Sequence, residues 1–226
     1  MKKTKNNKKI IESIDLTKVY EPIEAIKLLK DNSYVKFEET LEVAINLGID
    51  SNKTEQNIRG VLNLPKGSGK NTRVAVVAKG DNATEAKEAG ADIVGETDLI
   101  EKISANKIDF DILISTPEMM PTIGKVAKIL GPRGLMPNPK LGTVSNDIPK
   151  SISDLKSGLT EVKNDKDGNI ALSIGRKSFS KDKLIENYKY FIDFLKKERP
   201  DTLKGEFIKN IFITSTMGIS YRAGTK

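Results

Sequence analysis

The sequence predicts a mixed α/β protein, α+β overall, with two domains: an antiparallel α+β domain built from both ends of the chain, split by an inserted three-layer α/β/α domain. Three observations predict it. Residues 40–49 alternate apolar and polar side chains, the period-two pattern of a strand with one buried face. Residues 73–130 instead alternate short, near-continuous apolar runs with helical stretches, which is how a parallel sheet covered by helices reads. After Gly158 the first pattern returns, with a turn sequence Asp165-Lys166-Asp167-Gly168 and one long amphipathic helix.

Taken in order, residues 22–31 open on Pro22, and Ile23, Ile26 and Leu29 share a face, so a short helix is expected there. Leu41, Val43, Ile45, Leu47 and Ile49 mark the buried side of the first strand. Residues 58–64 (IRGVLNL) read as a second strand pairing with the first. Pro65, Gly67 and Gly69 then punctuate the chain. Strands are expected at 73–78, 91–94 and 111–115, with helices at 83–89 and 98–105 and another running on to Leu130. Residues 131–142 (GPRGLMPNPKLG) form a loop that its three prolines should keep ordered. Residues 161–163 and 169–174 flank the 165–168 turn as a hairpin. Residues 183–197 form a helix with Leu184, Ile185, Tyr188, Phe191, Ile192 and Leu195 at core spacing, and Pro200 stops it. A last strand, 207–215, runs into Thr216-Met217-Gly218. The expected domains are therefore 1–66 with 158–226, and 67–157, joined by a hinge at Pro65, Gly67, Gly69 and Gly158.

Composition narrows the chemistry. The 226 residues contain no Cys, His or Trp, so disulfides, thiolate chemistry and the usual zinc sites are excluded and the commonest general base is missing. No cofactor is expected. No apolar run approaches the roughly 20 residues that span a bilayer, so a cytoplasmic protein without a membrane partner is expected, monomeric when free. The net charge is +7 and its placement is uneven. Residues 1–66 carry twelve basic and ten acidic side chains, and residues 67–157 carry twelve of each. Residues 158–226 carry fourteen basic against nine acidic. A polyanion would meet most of its contacts on the outer domain. Within the insert, residues 119–146 hold no acid but include Lys125, Lys128, Arg133 and Lys140. The lysines at 2, 3, 5, 8 and 9 read equally as a solvated tail or a phosphate-contacting arm.

Several motifs need weighing. Pro65-Lys66-Gly67-Ser68-Gly69-Lys70 has the look of a phosphate loop, but Leu64 and Asn71 stand where Gly and Ser/Thr are required, and a strand follows where a helix should. Neither apolar run of the insert is followed by Gly-x-Gly-x-x-Gly. The insert is thus Rossmann-like in pattern without that motif's site. A nucleotide-dependent enzyme using this insert is the alternative reading, and a basic DNA-binding module a further one. Gly131-Pro132-Arg133-Gly134 has the form of a backbone clamp on phosphate. Phe37 is a core residue by its parity with Leu41, or an aromatic that stacks on a base beside Lys36. Ser215-Thr216-Met217-Gly218 is an ordinary strand-end turn, or a place where backbone and hydroxyls approach RNA.

Read together, these stretches carry a resemblance. Lys36-Phe37-Glu38-Glu39-Thr40, Ile58-Arg59-Gly60, Leu64-Pro65, Gly90-Ala91-Asp92, residues 131–140, 165–169, Ile174-Gly175, Ser178-Phe179 and 215–218 follow the order and spacing of the bacterial large-subunit ribosomal protein L-one family, which the chain resembles over nearly its whole length. The resemblance implies a split domain and a Rossmann-like insert. It implies binding of large-subunit ribosomal RNA at the mobile stalk near the transfer-RNA exit site, help in releasing deacylated transfer RNA, and repression through the leader of the protein's own messenger RNA. By residue, it places Lys36, Phe37, Thr40, Asp165, Lys166, Ser215, Thr216, Met217 and Gly218 against RNA, with Arg133 and Lys140 as secondary contacts. The chain departs from the family's usual residues at Lys66, Pro121 and Val162, where His, Gly and Phe are common.

Overall fold

A computed structural model describes residues 10–224 apart from 13, 16, 140, 141 and 204. The chain forms two compact units, one from the residues up to Lys70 together with those from Thr160 onward, the other Asn71–Leu159.

The first unit holds α1 (Pro22–Asp31), β1 (Thr40–Leu47), β2 (Arg59–Asn63), most of β6 (Leu159–Lys163), β7 (Asn169–Arg176), α7 (Lys181–Lys197), β8 (Ile208–Ser215) and β9 (Tyr221–Ala223). Its main sheet has the order β7-β1-β8-β9, antiparallel throughout. Leu41, Val43, Ile45 and Leu47 of β1 point into one core with Ile170, Leu172 and Ile174 of β7 and Ile211 and Ile213 of β8. Ala25, Ile26 and Leu29 of α1 and Leu184, Tyr188, Phe191 and Leu195 of α7 close it. On the other face Asn46 Nδ2 donates to Asn169 Oδ1 at 2.7 Å, and Ala44 lies between Ala171 and Phe212. Ser180 caps α7 by accepting the Lys183 amide at 3.4 Å.

Two expected pairings are not made. β2 pairs with β6 in a separate two-stranded sheet and not with β1. Both hydrogen-bonding edges of β1 are taken, one by β7 and one by β8. The 165–168 turn forms, closed by Asp165 N–H donating to Asn169 O (2.8 Å) with Gly168 at φ 75°, yet β6 and β7 leave it for different sheets. The turn is local chemistry, whereas the long register of β7 with β1, from Asn169 opposite Asn46 to Arg176 opposite Thr40, sets Ile170, Leu172 and Ile174 into the core.

The second unit holds β3 (Val74–Val77), α2 (Asp81–Glu88), β4 (Ile93–Gly95), α3 (Thr97–Ser104), β5 (Ile112–Ser115), α4 (Met120–Gly124), α5 (Ala127–Leu130) and α6 (Ile148–Ser157). Its sheet is parallel, in the order β4-β3-β5. Val74 and Val76 face Ala86 of α2 and Ile148, Ile152 and Leu155 of α6. Ala75 and Val77 face Leu99, Ile100 and Ile103 of α3 with Ile123 and Leu130. A central strand buried on both faces must be apolar at every position, which is why β3 reads as a continuous run. The helix expected to run to Leu130 is broken into a 3-10 turn (Pro117–Met119), α4 and α5. Pro121 lies in the first turn of α4, where its missing N–H loses no bond, and the break falls at Lys125 and Val126. The sequence reading missed α6, although Asp147 caps it by accepting the Lys150 amide (3.2 Å) and Gly158 ends it at φ 114°.

One side chain ties the core of the first unit to pH. Tyr188 is 2% exposed and donates to Gly224 O at 2.9 Å, and burial pushes its phenol up to about 12. An acid whose folded-state value is raised contributes stability in full below its ordinary value near 10, and that contribution is lost as pH rises toward 12. Urea unfolding of this unit should therefore weaken between pH 10 and 12, and Tyr188→Phe should flatten that slope.

Candidate nucleic-acid interface

The antiparallel order brings three strand ends together. β1 starts where β7 and β8 finish: Thr40 lies opposite Arg176, and Leu41 opposite Ser215. The segments around residues 32–39, 176–180 and 215–219 therefore meet at one end of the sheet. Thr216 bonds back to β1, its amide donating to Thr40 O (3.1 Å) and its hydroxyl accepting the Thr40 amide (3.1 Å). Glu39, 1% exposed, accepts the Ser215 hydroxyl and the Met217 amide on one oxygen, each at 3.1 Å. Tyr34 Oη donates to Met217 O at 3.1 Å, and Gly218 N–H to Ser215 O at 3.1 Å. The turn after β8 is thus held along its backbone, and it pushes out one apolar side chain, Met217, 49% exposed.

Phe37 is 54% exposed, so it is not a core residue. β1 begins only at Thr40, so the parity that buries Leu41 does not extend back to Phe37. Phe37, Met217 and the tyrosine that bonds the Met217 carbonyl all belong to these converging segments. Cations accompany them. Arg176 Nη1 reaches Thr40 Oγ1 at 3.4 Å, Lys177 N–H donates to Glu39 O at 2.8 Å, and Lys30 Nζ donates to Phe179 O. The Lys30 ammonium is held below its usual value, first by partial burial and then by the like charges of Lys181 and Lys177. An exposed aromatic, an exposed thioether and clustered cations suit a partner with flat apolar faces and negative charge, which describes unpaired nucleotides.

Residues 29–219 match the model of the Ribosomal protein L1p/L10e family. The chain belongs to this family. It is 49% identical over 218 residues to the large ribosomal subunit protein uL1 of Thermobifida fusca (strain YX), covering 96% of this chain and 93% of that protein. It is 47% identical over 221 residues to proteins of the same name from Streptococcus uberis (strain ATCC BAA-854 / 0140J) and Streptococcus pyogenes serotype M1, covering 98% of this chain and 96% of each. The L1p/L10e family is a structural, non-enzymatic ribosomal component, so the nucleotide-dependent enzyme is set aside.

Not every residue expected at the interface lies at this sheet end. Asp165 and Lys166 precede β7, beside Asn46 and Asn169, at the far end of the register and about 20 Å from Thr40 by strand rise. They line a groove with Ser51, Asn52, Arg59 and Lys163. The Asp165 carboxylate accepts the Asn169 amide (2.6 Å) and the Asp167 amide (2.9 Å) on one oxygen and the Asn169 side chain (3.2 Å) on the other. These bonds, the Asn169 amide foremost, hold it below the usual carboxylate range. Asp165 shapes the turn, and Arg59, Lys163 and Lys166 are the cations of the groove.

In the second unit, Arg133 Nη2 donates to Asn106 Oδ1 at 2.9 Å. The Gly131–Gly134 segment is a closed helix cap, with Gly131, Gly134 and Leu135 amides donating to Ala127, Gly131 and Leu130 carbonyls, so these amides are already engaged and Arg133 is the outward group. Lys140 lies outside the described residues. Of the expected hinge residues, Gly67 and Gly69 both have φ 70°. Asn187, fully buried on α7, holds the segment: its carbonyl accepts the Lys66 amide (3.1 Å), and its NH2 donates to Gly67 O (3.0 Å) and Ile174 O (2.8 Å). A Cβ on Gly69 would lie 2.8 Å from Arg176 Cγ and 2.9 Å from the Phe179 ring. Residues 65–69 are thus seated on the first unit, and the passage to the second follows Lys70.

Sequence reasoning overlooked Glu39, Tyr34, Arg176 and Asn187. Glu39 could have been suspected, since it precedes the alternating run and its neighbour Leu41 is buried. Asn187 carried a weaker signal, a lone amide within the apolar stripe of α7.

Proposed function

We propose that the protein is a structural component of the large ribosomal subunit that binds large-subunit ribosomal RNA through the sheet end bearing Lys36, Phe37, Thr40, Thr216, Met217 and Gly218, with Ser215 beneath the turn. The convergence of three strand ends that expose Phe37 and Met217 among cations carries this reading. Lys166 in the groove at the other end of the sheet makes a second contact, and Arg133 and Lys140 make minor ones. The RNA is the mobile stalk near the transfer-RNA exit site, where the protein assists release of deacylated transfer RNA. The leader of the protein's own messenger RNA competes for the same face, so free protein represses its translation while assembled protein does not. The chain passes between an RNA-binding domain and a Rossmann-like one after Lys70 and again just after Gly158.

Filter binding to a stalk-like RNA hairpin tests this. Phosphate contacts by Lys36, Arg176, Lys177 and Lys181 predict a log–log salt slope near −3, and about a hundredfold loss of affinity between roughly 50 and 200 mM salt. Phe37→Ala should cost about 1–3 kcal/mol of binding, as for loss of one stacked base, and Met217→Ala a similar amount. Both exposed positions should leave the melting temperature nearly unchanged. A salt-independent affinity, or wild-type binding by both variants, would overturn the proposal.

A further inference from the structure

The turn presenting Met217 is organised by a residue that itself offers nothing to a partner. Glu39 is 1% exposed, and one of its oxygens accepts both the Ser215 hydroxyl and the Met217 amide. Its other oxygen, Oε2, is buried and has no hydrogen-bond partner among the described residues. Its backbone carbonyl accepts the amide of Lys177. A single residue therefore touches the segment after β7 and the turn after β8, while its own strand carries Thr40. Ser215, 5% exposed, is spent on Glu39 and turned away from the surface.

A buried carboxylate with an unpartnered oxygen is a poor choice for stability, because an uncompensated buried polar atom costs free energy that a well-packed apolar group would not. Its value must lie in what it holds. The Met217 amide and carbonyl are fixed from opposite sides, by Glu39 and Tyr34, so the methionine leaves the backbone in one direction before any partner arrives. Preorganisation of this kind lowers the ordering cost of binding and favours the one ligand whose shape matches.

We propose that Glu39 is the positioning residue of the RNA-facing turn, and that it sets discrimination between the structured RNA target and unstructured RNA without touching either. This rests on the RNA-binding reading above. It predicts that specificity and stability separate. In Glu39→Ala the Met217 amide and the Ser215 hydroxyl lose their acceptor, so hydrogen exchange at the Met217 amide should accelerate in the free protein. Affinity for the stalk-like hairpin should fall at least about tenfold, since both hydrogen bonds go, while affinity for poly(U), governed by the untouched cations, should change less than about twofold. Glu39→Gln keeps an acceptor for both donors and removes the buried charge. It should restore discrimination to within about threefold of wild type, since Oε1 still accepts both donors.

The experiment measures hairpin and poly(U) affinities, amide exchange and melting for the full-length wild type and both variants. Glu39→Ala that discriminates as well as wild type, or that leaves Met217 exchange unchanged, overturns the proposal. So does a folded Glu39→Gln as defective as Glu39→Ala. If Glu39→Ala fails to fold, Ser215→Ala removes the hydroxyl packed between carboxylate and turn and should show the same separation at smaller size; no separation there overturns it. A wild-type protein that binds hairpin and poly(U) equally would instead overturn the reading of function, and amide exchange in the free protein still reads the turn.

Discussion

Asn187→Ala is expected to destabilise the first unit by about 3 kcal/mol. The side chain is 0% exposed and uses its carbonyl and its NH2 group in three hydrogen bonds, to Lys66 N, Gly67 O and Ile174 O. Truncation leaves all three backbone groups unpaired at or near the interior and opens a small cavity under the chain segment that precedes the second unit. Asn187→Asp is a sharper test. It keeps the acceptor for Lys66 N–H but aims a second carboxylate oxygen at two carbonyls, so it should cost at least as much as alanine despite its shape. Urea unfolding followed by far-ultraviolet circular dichroism measures both. A loss below about 1 kcal/mol for either would mean that residues 65–69 are not seated by this amide.

Gly218→Ala is expected to abolish most specific RNA binding while the fold persists. An added Cβ would lie 2.3 Å from Ser215 Oγ, closer than any real contact, and the atom it strikes is the one that donates to Glu39. Relief requires either rotating Ser215 off Glu39 or moving the Gly218 backbone, and each shifts Met217. The turn lies beyond the last residue of β8, so the β1–β8 register and the core beneath it survive. Affinity for the stalk-like hairpin should fall by roughly a hundredfold, about 2.7 kcal/mol, with a melting temperature within a few degrees of wild type. A variant that binds normally would show that the backbone of this turn does not need its observed path.

The two substitutions act on groups that sequence patterns treated differently. Gly218 was marked by its place in a short motif after a strand. Asn187 went unnoticed inside an amphipathic stripe, because periodicity records which face of a helix is buried and says nothing about a polar group that is buried because it is satisfied. Glu39 escaped for the same reason. Its carboxylate is interior only because Ser215 and Met217, some 176 and 178 residues later in the chain, bring donors to it.

Most of the elements, though not α6 or the break before Leu130, were legible in local sequence, as was the chemistry that composition excludes. β1 is legible from alternation, β3 from a continuous apolar run, α7 from the spacing of its core residues and the 165–168 turn from Asp and Gly, since each is dictated by neighbours within a few residues. The missing Cys and His, the clustered charge and the motif order were equally local facts. Only the tertiary structure decided that β2 joins β6, that β6 and β7 part after their turn, and that Asp165 and Lys166 lie a strand's length from Thr40. A strand's sequence tells which of its faces is buried, but its partner depends on which edges are already occupied. β1 has two edges, and β7 and β8 hold both. That same competition is what carries Phe37, Arg176 and Met217, far apart in the chain, to one end of one sheet.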